Sequence, residues 1–354
     1  MKVLFITPYP IEGASSRYRI YQYLHLLEIN DIKTKVRPFI SSKLQNVIYK
    51  KNKLLISFYL LLSSINRIID VFRCFNYDIV FIHREAFPFG PNIIERIFKL
   101  IGKKIILDFD DAIFLPYAKK SRFALRITPK DRTISLIKLA DHIIVGNNYL
   151  CDFVKPINNN VSLLPTPIDT DKFTLKISRE NITTIGWVGS FSTSEYINEV
   201  EQAIKYLSSK YNIKFRIVGS GRNISIPGVN VENIEWSLKN EVIDFQKINI
   251  GIYPLPNDLW ARGKCGFKAI QYMSCGVPVV ASPIGVNKEI IKDGFNGFLA
   301  ETQEDWIKKI ELLINDKELR TRIGKEGRRT VEEKYSVSAN FPKLLQILKS
   351  LSKA

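Results

Sequence analysis

The sequence predicts an α/β protein made of two doubly wound, parallel-sheet domains. Short runs of β-branched and apolar residues recur along the chain, each followed by a segment with helical periodicity. A proline-rich stretch, Pro165-Thr166-Pro167-Ile168-Asp169-Thr170-Asp171, interrupts this alternation near the middle. At 354 residues the chain has room for two domains of ordinary size. Nearly continuous apolar strands alternating with helices call for parallel sheets covered on both faces, because the crossover between parallel strands is a helix.

In the first half, strands are expected at Val3–Thr7, Thr34–Arg37, Asp78–His83, Lys104–Asp108, His142–Gly146 and Ser162–Leu164. Amphipathic segments fall at about 16–28, 53–73, 91–101, 130–140 and 147–154. After a linker at 165–182, strands follow at Thr184–Gly189, Lys214–Gly219, Asn249–Tyr253 and Val277–Ser282. Helices fall at about 194–209, 239–246, 264–274, 303–315 and 317–333. A last helix over 337–350 carries Phe341, Leu344, Leu345 and Leu348 on one stripe. The expected units are 1–170, 171–336 and a C-terminal helix, 337–354, packing back on the first. Two open α/β domains of this kind, both Rossmann-like, would face each other across a cleft, the default place for a ligand.

Composition narrows the function. Lys and Arg number 52 against 35 Asp and Glu, a net charge of +17. The excess favours an anionic partner: a phosphorylated small molecule, a membrane face or nucleic acid. Residues 1–172 hold 26 basic and 15 acidic residues, so most of it is N-terminal. No nucleic-acid-reading motif accompanies it, and no nucleic acid partner is expected. Cys74, Cys151, Cys265 and Cys275 show no C-x-x-C spacing, and with His only at 25, 83 and 142 no metal framework can be read. A reduced, cytoplasmic compartment is expected. The opening apolar run is too short for a signal peptide and reads as a first strand. The longest uncharged apolar stretch, Leu54 to Asn66, is short for a bilayer span.

Four segments carry chemistry. The densest runs from Arg262 through Gly263, Lys264, Gly266, Lys268 and Gln271 to Gly276: a basic loop, a helix, a glycine stop and a buried strand. Arg262, Lys264 and the helix N-terminus at Gly266 together suit a phosphate, since backbone N–H groups and the helix dipole add to the cations. Lys268 and Gln271 share a helix face. A solvated basic surface helix would show the same spacing.

Leu107-Asp108-Phe109-Asp110-Asp111 ends a strand. Its carboxylates suit ion pairs with Arg17 and Arg84, contact with an acceptor hydroxyl, or a divalent ion. Ile82-His83-Arg84-Glu85 follows another strand; His83 serves either packing or a site. In the first turn, Gly13-Ala14-Ser15-Ser16-Arg17-Tyr18-Arg19, Gly13 lets the backbone approach a phosphate and Ser15 or Ser16 could cap the next helix. Arg17 and Arg19 fit solvent equally well. The turn Gly219-Ser220-Gly221-Arg222-Asn223 is similar, and either borders a nucleobase or is an ordinary loop.

The 262–282 segment resembles the donor-site helix of the retaining GT-B-fold glycosyltransferases, the "glycosyl transferases group 1" family. The resemblance continues through Pro283, Gly285, Glu289, Asp293-Gly294 and Gly297, and through Asp316, Leu319, Arg320, Gly324, Gly327 and Glu332-Glu333-Lys334-Tyr335-Ser336. The Val3–Thr7 strand with Gly13 and the Ile185-Gly186-Trp187-Val188-Gly189 strand are also of the family's kind. It implies a retaining, metal-independent transferase that needs no cofactor and takes a nucleoside-diphosphate sugar as substrate.

On that resemblance Gly13, Arg262, Lys264, Gly266 and Lys268 would hold the donor's diphosphate and sugar, and Gly189, Gly219 and Gln271 its nucleoside. His83 and Asp110 would be catalytic, and Arg17, Arg84 and Asp111 would face a glycan or lipid-linked acceptor. The family's paired glutamates are missing: their places fall on Gly263 and Gln271. A glutamine amide can still accept a hydrogen bond, whereas a glycine replaces nothing. The family's arginine is Ser190 here. A non-catalytic glycan- or nucleotide-sugar-binding partner of a transferase therefore remains an alternative, as does a same-fold sugar-nucleotide epimerase.

Basic residues flank two apolar stretches. Lys43, Lys50, Lys51 and Lys53 precede Leu54–Ile65, with Arg67 and Arg73 after it; Lys119, Lys120, Arg122 and Arg126 lie around Phe123 and Leu125. Such clusters suit the anionic inner face of the plasma membrane, where the protein would be peripheral. Otherwise Leu54–Val71 is a core helix with a solvated basic start.

Overall fold

The computed structural model describes residues 1–49, 52–115, 128–175 and 182–353. They form two compact units, Met1–Thr166 with Asn340–Ala354, and Pro167–Ala339. The basic cluster at 119–126, and Lys50 and Lys51, lie outside the described residues.

The first unit is built on one parallel sheet: β1 (Lys2–Thr7), β2 (Lys33–Pro38), β3 (Ile79–His83), β4 (Lys104–Phe109), β5 (His142–Val145) and β6 (Val161–Leu163), in the order β2-β1-β3-β4-β5-β6. Its central strands are buried on both faces: Val3 to Ile6, Ile79 to Ile82 and Ile105 to Leu107 are all in the core. That explains why they read as unbroken apolar runs. Phe5 and Phe81 meet across β1 and β3 at 5.0 Å between ring centroids. The chain leaves β1 to one side for β2 and returns on the other for β3, so the order reverses between them. At such a reversal the loops beyond the strands' C-terminal ends diverge and leave a crevice.

The second unit repeats the scheme with β7 (Thr183–Val188), β8 (Ile213–Val218), β9 (Val231–Ile234), β10 (Ile250–Tyr253), β11 (Val279–Ala281) and β12 (Phe298–Leu299), in the order β12-β11-β10-β7-β8-β9. Its reversal lies between β7 and β10. Ile185, Trp187, Phe215 and Ile217 pack with Ile204 and Leu207 of one helix and Trp306 and Ile310 of another. Each such side chain, fully buried, is worth about 1.5–3 kcal/mol.

The expected helix at 16–28 is broken into Ala14–Arg19, a tight 3-10 turn at Tyr21–Tyr23, and Leu24–Ile29. The one at 194–209 divides into a 3-10 run, Phe191–Val200, and the helix Glu201–Lys210. A helix at Ser42–Tyr49 and the edge strands β9 and β12 were not expected. The last helix, Val337–Lys353, contributes Asn340 onward to the first unit, where Phe341 stacks on Tyr23 at 6.1 Å. All four cysteines are free thiols.

The helix Lys53–Arg73 forms at the expected place, but it is not a core helix. Leu54, Phe58, Leu61, Ile65, Ile68 and Phe72 are exposed, while its buried residues are Arg67 and Asp70. With the turn that follows it, Lys53–Asn76 is long and apolar enough to cross a membrane by length and composition. The 13-residue stretch read from sequence understated this, because Arg67, Asp70 and Arg73 interrupt the run without ending the helix.

Candidate functional site

In the first unit, pairing register builds the site. His83 at the end of β3 is the parallel-register neighbour of Asp108 on β4, so their side chains emerge on one face, about 4.8 Å apart along the sheet. His83 Nδ1 lies 2.7 Å from Asp108 Oδ2, and its Nε2 lies 2.7 Å from Ser15 Oγ in the β1–helix turn. Ser15 Oγ in turn reaches Asp110 at 2.9 and 3.1 Å. A serine has one hydroxyl proton. When Ser15 donates it to Asp110, the serine accepts from His83 Nε2–H; when it donates to Nε2, the imidazole carries its proton on Nδ1, toward Asp108. Asp108, His83, Ser15 and Asp110 thus lie in one line, each within hydrogen-bonding distance of the next.

Two guanidinium groups close that line. Arg19, fully buried, donates to both oxygens of Asp108 and to the Leu164 carbonyl at 2.7 Å. Arg84 donates to Asp110 at 2.9 Å and also to Asp111. Burial alone would raise the Asp108 carboxyl, but Arg19 and then His83 outweigh it and hold Asp108 below the usual carboxylate range. Asp110 is likewise held well below that range, the Arg84 guanidinium outweighing the cost of burial. Arg84 adopts φ 65, a left-handed conformation uncommon outside glycine, while its N–H donates to the Asp108 carbonyl at 2.7 Å. Backbone of this kind costs about 1–3 kcal/mol and persists where the surroundings enforce it.

The first turn behaves differently from its sequence reading. Gly13 is the N-cap of Ala14–Arg19, and no side chain caps that helix. Ser16 Oγ instead accepts from the Tyr9 N–H at 3.2 Å, and Ser15 belongs to the His83 line. Arg17 and Arg19 are both buried, not solvated. Arg17 donates to the Ile11 and Glu12 carbonyls at 2.8 and 3.0 Å and so holds the Pro8–Gly13 loop, while Arg19 pairs with Asp108. Among the described residues no group of three or more His, Cys, Asp or Glu side chains is arranged to hold a metal ion. His142 bonds to Ser162 at 3.0 Å and His25 is exposed on its helix, both away from this line.

In the second unit, the helix Phe267–Ser274 starts at Gly266, whose φ of +63 and lack of a side chain let the turn close: a Cβ there would stand 2.3 Å from Ile290 Cδ1. The helix ends in a Schellman turn, with Gly276 N–H on the Met273 carbonyl and Val277 N–H on Tyr272. Arg328 fixes that end by donating to the Ser274, Phe173 and Thr170 carbonyls. Lys268 donates to Gln271 Oε1 at 2.7 Å and stands over the Phe245 ring; Gln271 Nε2 reaches Glu241 at 3.4 Å. Just before the helix, Asp258 caps Leu259–Arg262 through the Ala261 N–H at 2.6 Å. Arg262 donates to the Asn257 amide at 3.0 Å, and Lys264 lies over Trp260 at 5.9 Å. Gly263, which stands at one glutamate position, is buried, and so is Gln271 at the other. Gly189 and Gly219 end β7 and β8 side by side, Gly189 N–H bonding to Val218.

The sequence reading named His83, Arg84, Asp110 and Asp111 and missed Ser15 and Arg19 as members of their cluster. Their signal is tertiary: Ser15 lies 68 positions from His83, and Arg19 lies 89 from Asp108.

Two parallel, doubly wound sheets with flanking helices define the GT-B fold, and solved structures agree. A glycosyltransferase from Rickettsia africae ESF-5 superposes with a TM-score of 0.69 at 16% identity, covering 99% of this chain and 98% of that one. Anabaena Alr3699/HepE, in complex with UDP-glucose, gives 0.72 at 14% identity, covering 99% and 100%. Residues 169–330, nearly all of the second unit, match the family "Glycosyl transferases group 1". Among curated relatives, the capsular polysaccharide biosynthesis glycosyltransferase CapM of Staphylococcus aureus is 30% identical over 164 residues, 43% of this chain. The N-acetyl-alpha-D-glucosaminyl L-malate synthase of Bacillus anthracis is 23% identical over 155 residues. These matches span 42% and 40% of the relatives' own lengths.

Proposed function

We propose that the protein is a glycosyltransferase that moves a sugar from a nucleoside-diphosphate sugar to a glycan or lipid-linked acceptor, with retention of anomeric configuration, in cell-surface polysaccharide or glycolipid synthesis. The observation that carries this is the family match over 169–330 coinciding with the Gly266-started helix and its cations. HepE, of the same fold, binds UDP and UDP-glucose, and CapM is a capsular polysaccharide enzyme; both fit the reading.

On this reading Arg262, Lys264 and Lys268 stabilise the leaving diphosphate, whose negative charge grows as the glycosidic bond breaks. Gly189, Gly219 and Gln271 border the nucleoside. Gln271 offers an amide where a carboxylate would accept from ribose hydroxyls, its carbonyl already oriented by Lys268. Gly13 lets its loop approach the donor. In the first unit, His83 and Asp110 supply the polar groups that orient the transferred sugar or the acceptor hydroxyl, and Arg84 and Asp111 border them. Arg19 and Arg84 already neutralise the carboxylates, which favours charge-balanced positioning over a bound metal, and no cofactor is invoked. A lipid-linked acceptor would place the protein at the inner face of the plasma membrane.

The missing glutamates favour a second reading, a binding partner that holds a nucleotide-sugar without turning it over. A thermal-shift screen of UDP, GDP, ADP and their sugars, followed by product analysis with the stabilising sugar nucleotide, tests both. Stabilisation with transfer or slow hydrolysis supports the enzyme. Stabilisation with an intact donor, acceptor present, supports the partner, and no stabilisation by any nucleotide contradicts both.

A further inference from the structure

The Lys53–Arg73 helix is turned inside out. Its two buried residues are charged: Arg67 is 1% exposed and Asp70 2%. Asp70 accepts from Arg37 on β2 at 2.7 Å and from Arg67 and Arg73 at 3.2 Å each. Arg67 also donates to the Arg37 carbonyl at 3.2 Å and the Thr7 carbonyl at 3.4 Å. The other side carries Leu54, Phe58, Leu61, Ile65, Ile68 and Phe72, all exposed, with Leu54 at 86%, Leu61 at 60% and Phe72 at 69%. Their steps of four and three residues keep them on one stripe. At 1.5 Å per residue it is about 27 Å long. Water is a poor solvent for such a surface, and soluble proteins seldom show one without a use for it.

The charge around the stripe says what covers it. Among the described residues between Ser42 and Tyr77, Lys43, Lys53, Arg67 and Arg73 are basic and one is acidic, the buried Asp70. Lys53 and Arg73 stand at the two ends of the helix, and the Lys103 ammonium lies 5.8 Å from the ring of the exposed Phe75. An apolar face edged with cations fits the interface of an anionic bilayer, acyl chains taking the stripe and headgroups the cations. The same ion pairs fix the orientation. To cross the bilayer the helix would have to pull Asp70 and Arg67 away from Arg37 on β2 and carry both buried charges into hydrocarbon.

We propose that the Leu54–Phe72 stripe seats the protein on an anionic lipid surface, the helix lying in the plane of the interface. As the place where a lipid-linked acceptor is met, this seat rests on the function proposed above; as a lipid-binding surface it stands on the helix alone. The two fail separately, since vesicle binding needs no sugar and nucleotide-induced stabilisation needs no membrane.

Flotation of the full chain with vesicles of phosphatidylcholine, with and without phosphatidylglycerol, tests the seat. Wild type should float with the anionic vesicles, and Leu61→Asp with Phe72→Asp should cut partition by about tenfold or more. Both substitutions lie on the solvent side, so circular dichroism and Tm should stay at wild-type values. Leu54→Trp and Phe72→Trp should be quenched alike by shallow brominated lipids. No binding, equal binding to uncharged vesicles, or unchanged binding by the double variant would overturn the proposal. So would quenching that places one end of the helix deep and the other shallow, or a stable dimer that hides the stripe in solution.

Discussion

The candidate site in each unit gives its cations different partners. In the first, the arginines at the strand ends meet carboxylates: Arg19 closes on Asp108 and Arg84 on Asp110 and Asp111. In the second, the cations beside the Phe267–Ser274 helix contact neutral groups: Arg262 an asparagine amide, Lys268 a glutamine amide, Lys264 an indole face. A guanidinium already balanced by carboxylate positions its neighbours and adds little net field. For a cation that contacts an amide or a ring, an incoming diphosphate is the stronger, charge-assisted partner. The contrast teaches that a count of basic residues does not locate an anion site; the partners of those residues do.

Breaking the balanced side should give the largest effect. Asp108→Ala would strand the buried Arg19 guanidinium and is expected to lower stability by about 3–5 kcal/mol, read as a drop in the urea midpoint. If the midpoint stays within error of wild type, the first unit's network does not depend on that pair.

How much of this was legible in the chain follows from where each signal resides. The inner strands could be read because burial on both faces leaves an unbroken apolar run, as in Val3–Ile6 or Ile79–Ile82. β9 could not: Val231-Glu232-Asn233-Ile234 is a half-buried edge with mixed polarity. The helix Phe267–Ser274 was legible through its glycines and cations, which are local. The Ser15–His83 contact was not, because strand register and the fold of the first turn create it. The period of the Lys53–Arg73 helix was visible, yet which side turns inward is decided by Arg37, some thirty residues away on β2.

Two smaller effects sharpen the comparison. Gly266→Ala, at φ +63 with Ile290 in the way, should cost about 1–3 kcal/mol and weaken nucleotide binding, by distorting the start of the donor helix. Wild-type stability and nucleotide affinity would mean that this turn tolerates a side chain.

Acid should act on the first unit. Asp108 and Asp110 titrate below the ordinary carboxylate range when folded. Their contribution is therefore complete above about pH 3.9, the unfolded value, and is lost as pH falls through the lower folded values. Asp110→Asn should make the acid-side fall in Tm shallower below that point, with little change in slope near neutrality. An unchanged acid limb would mean that Asp110 gains nothing from Arg84.

The central claim is that the cations beside the Phe267–Ser274 helix bind a nucleoside diphosphate, and titration calorimetry of wild type and Lys268→Ala with UDP, GDP and ADP tests it most directly. A charged hydrogen bond of about 1.5–3 kcal/mol predicts roughly ten- to hundredfold weaker binding of the preferred diphosphate by the variant, and a much smaller loss for the matching nucleoside. Equal affinity of wild type and Lys268→Ala for the diphosphate would contradict it.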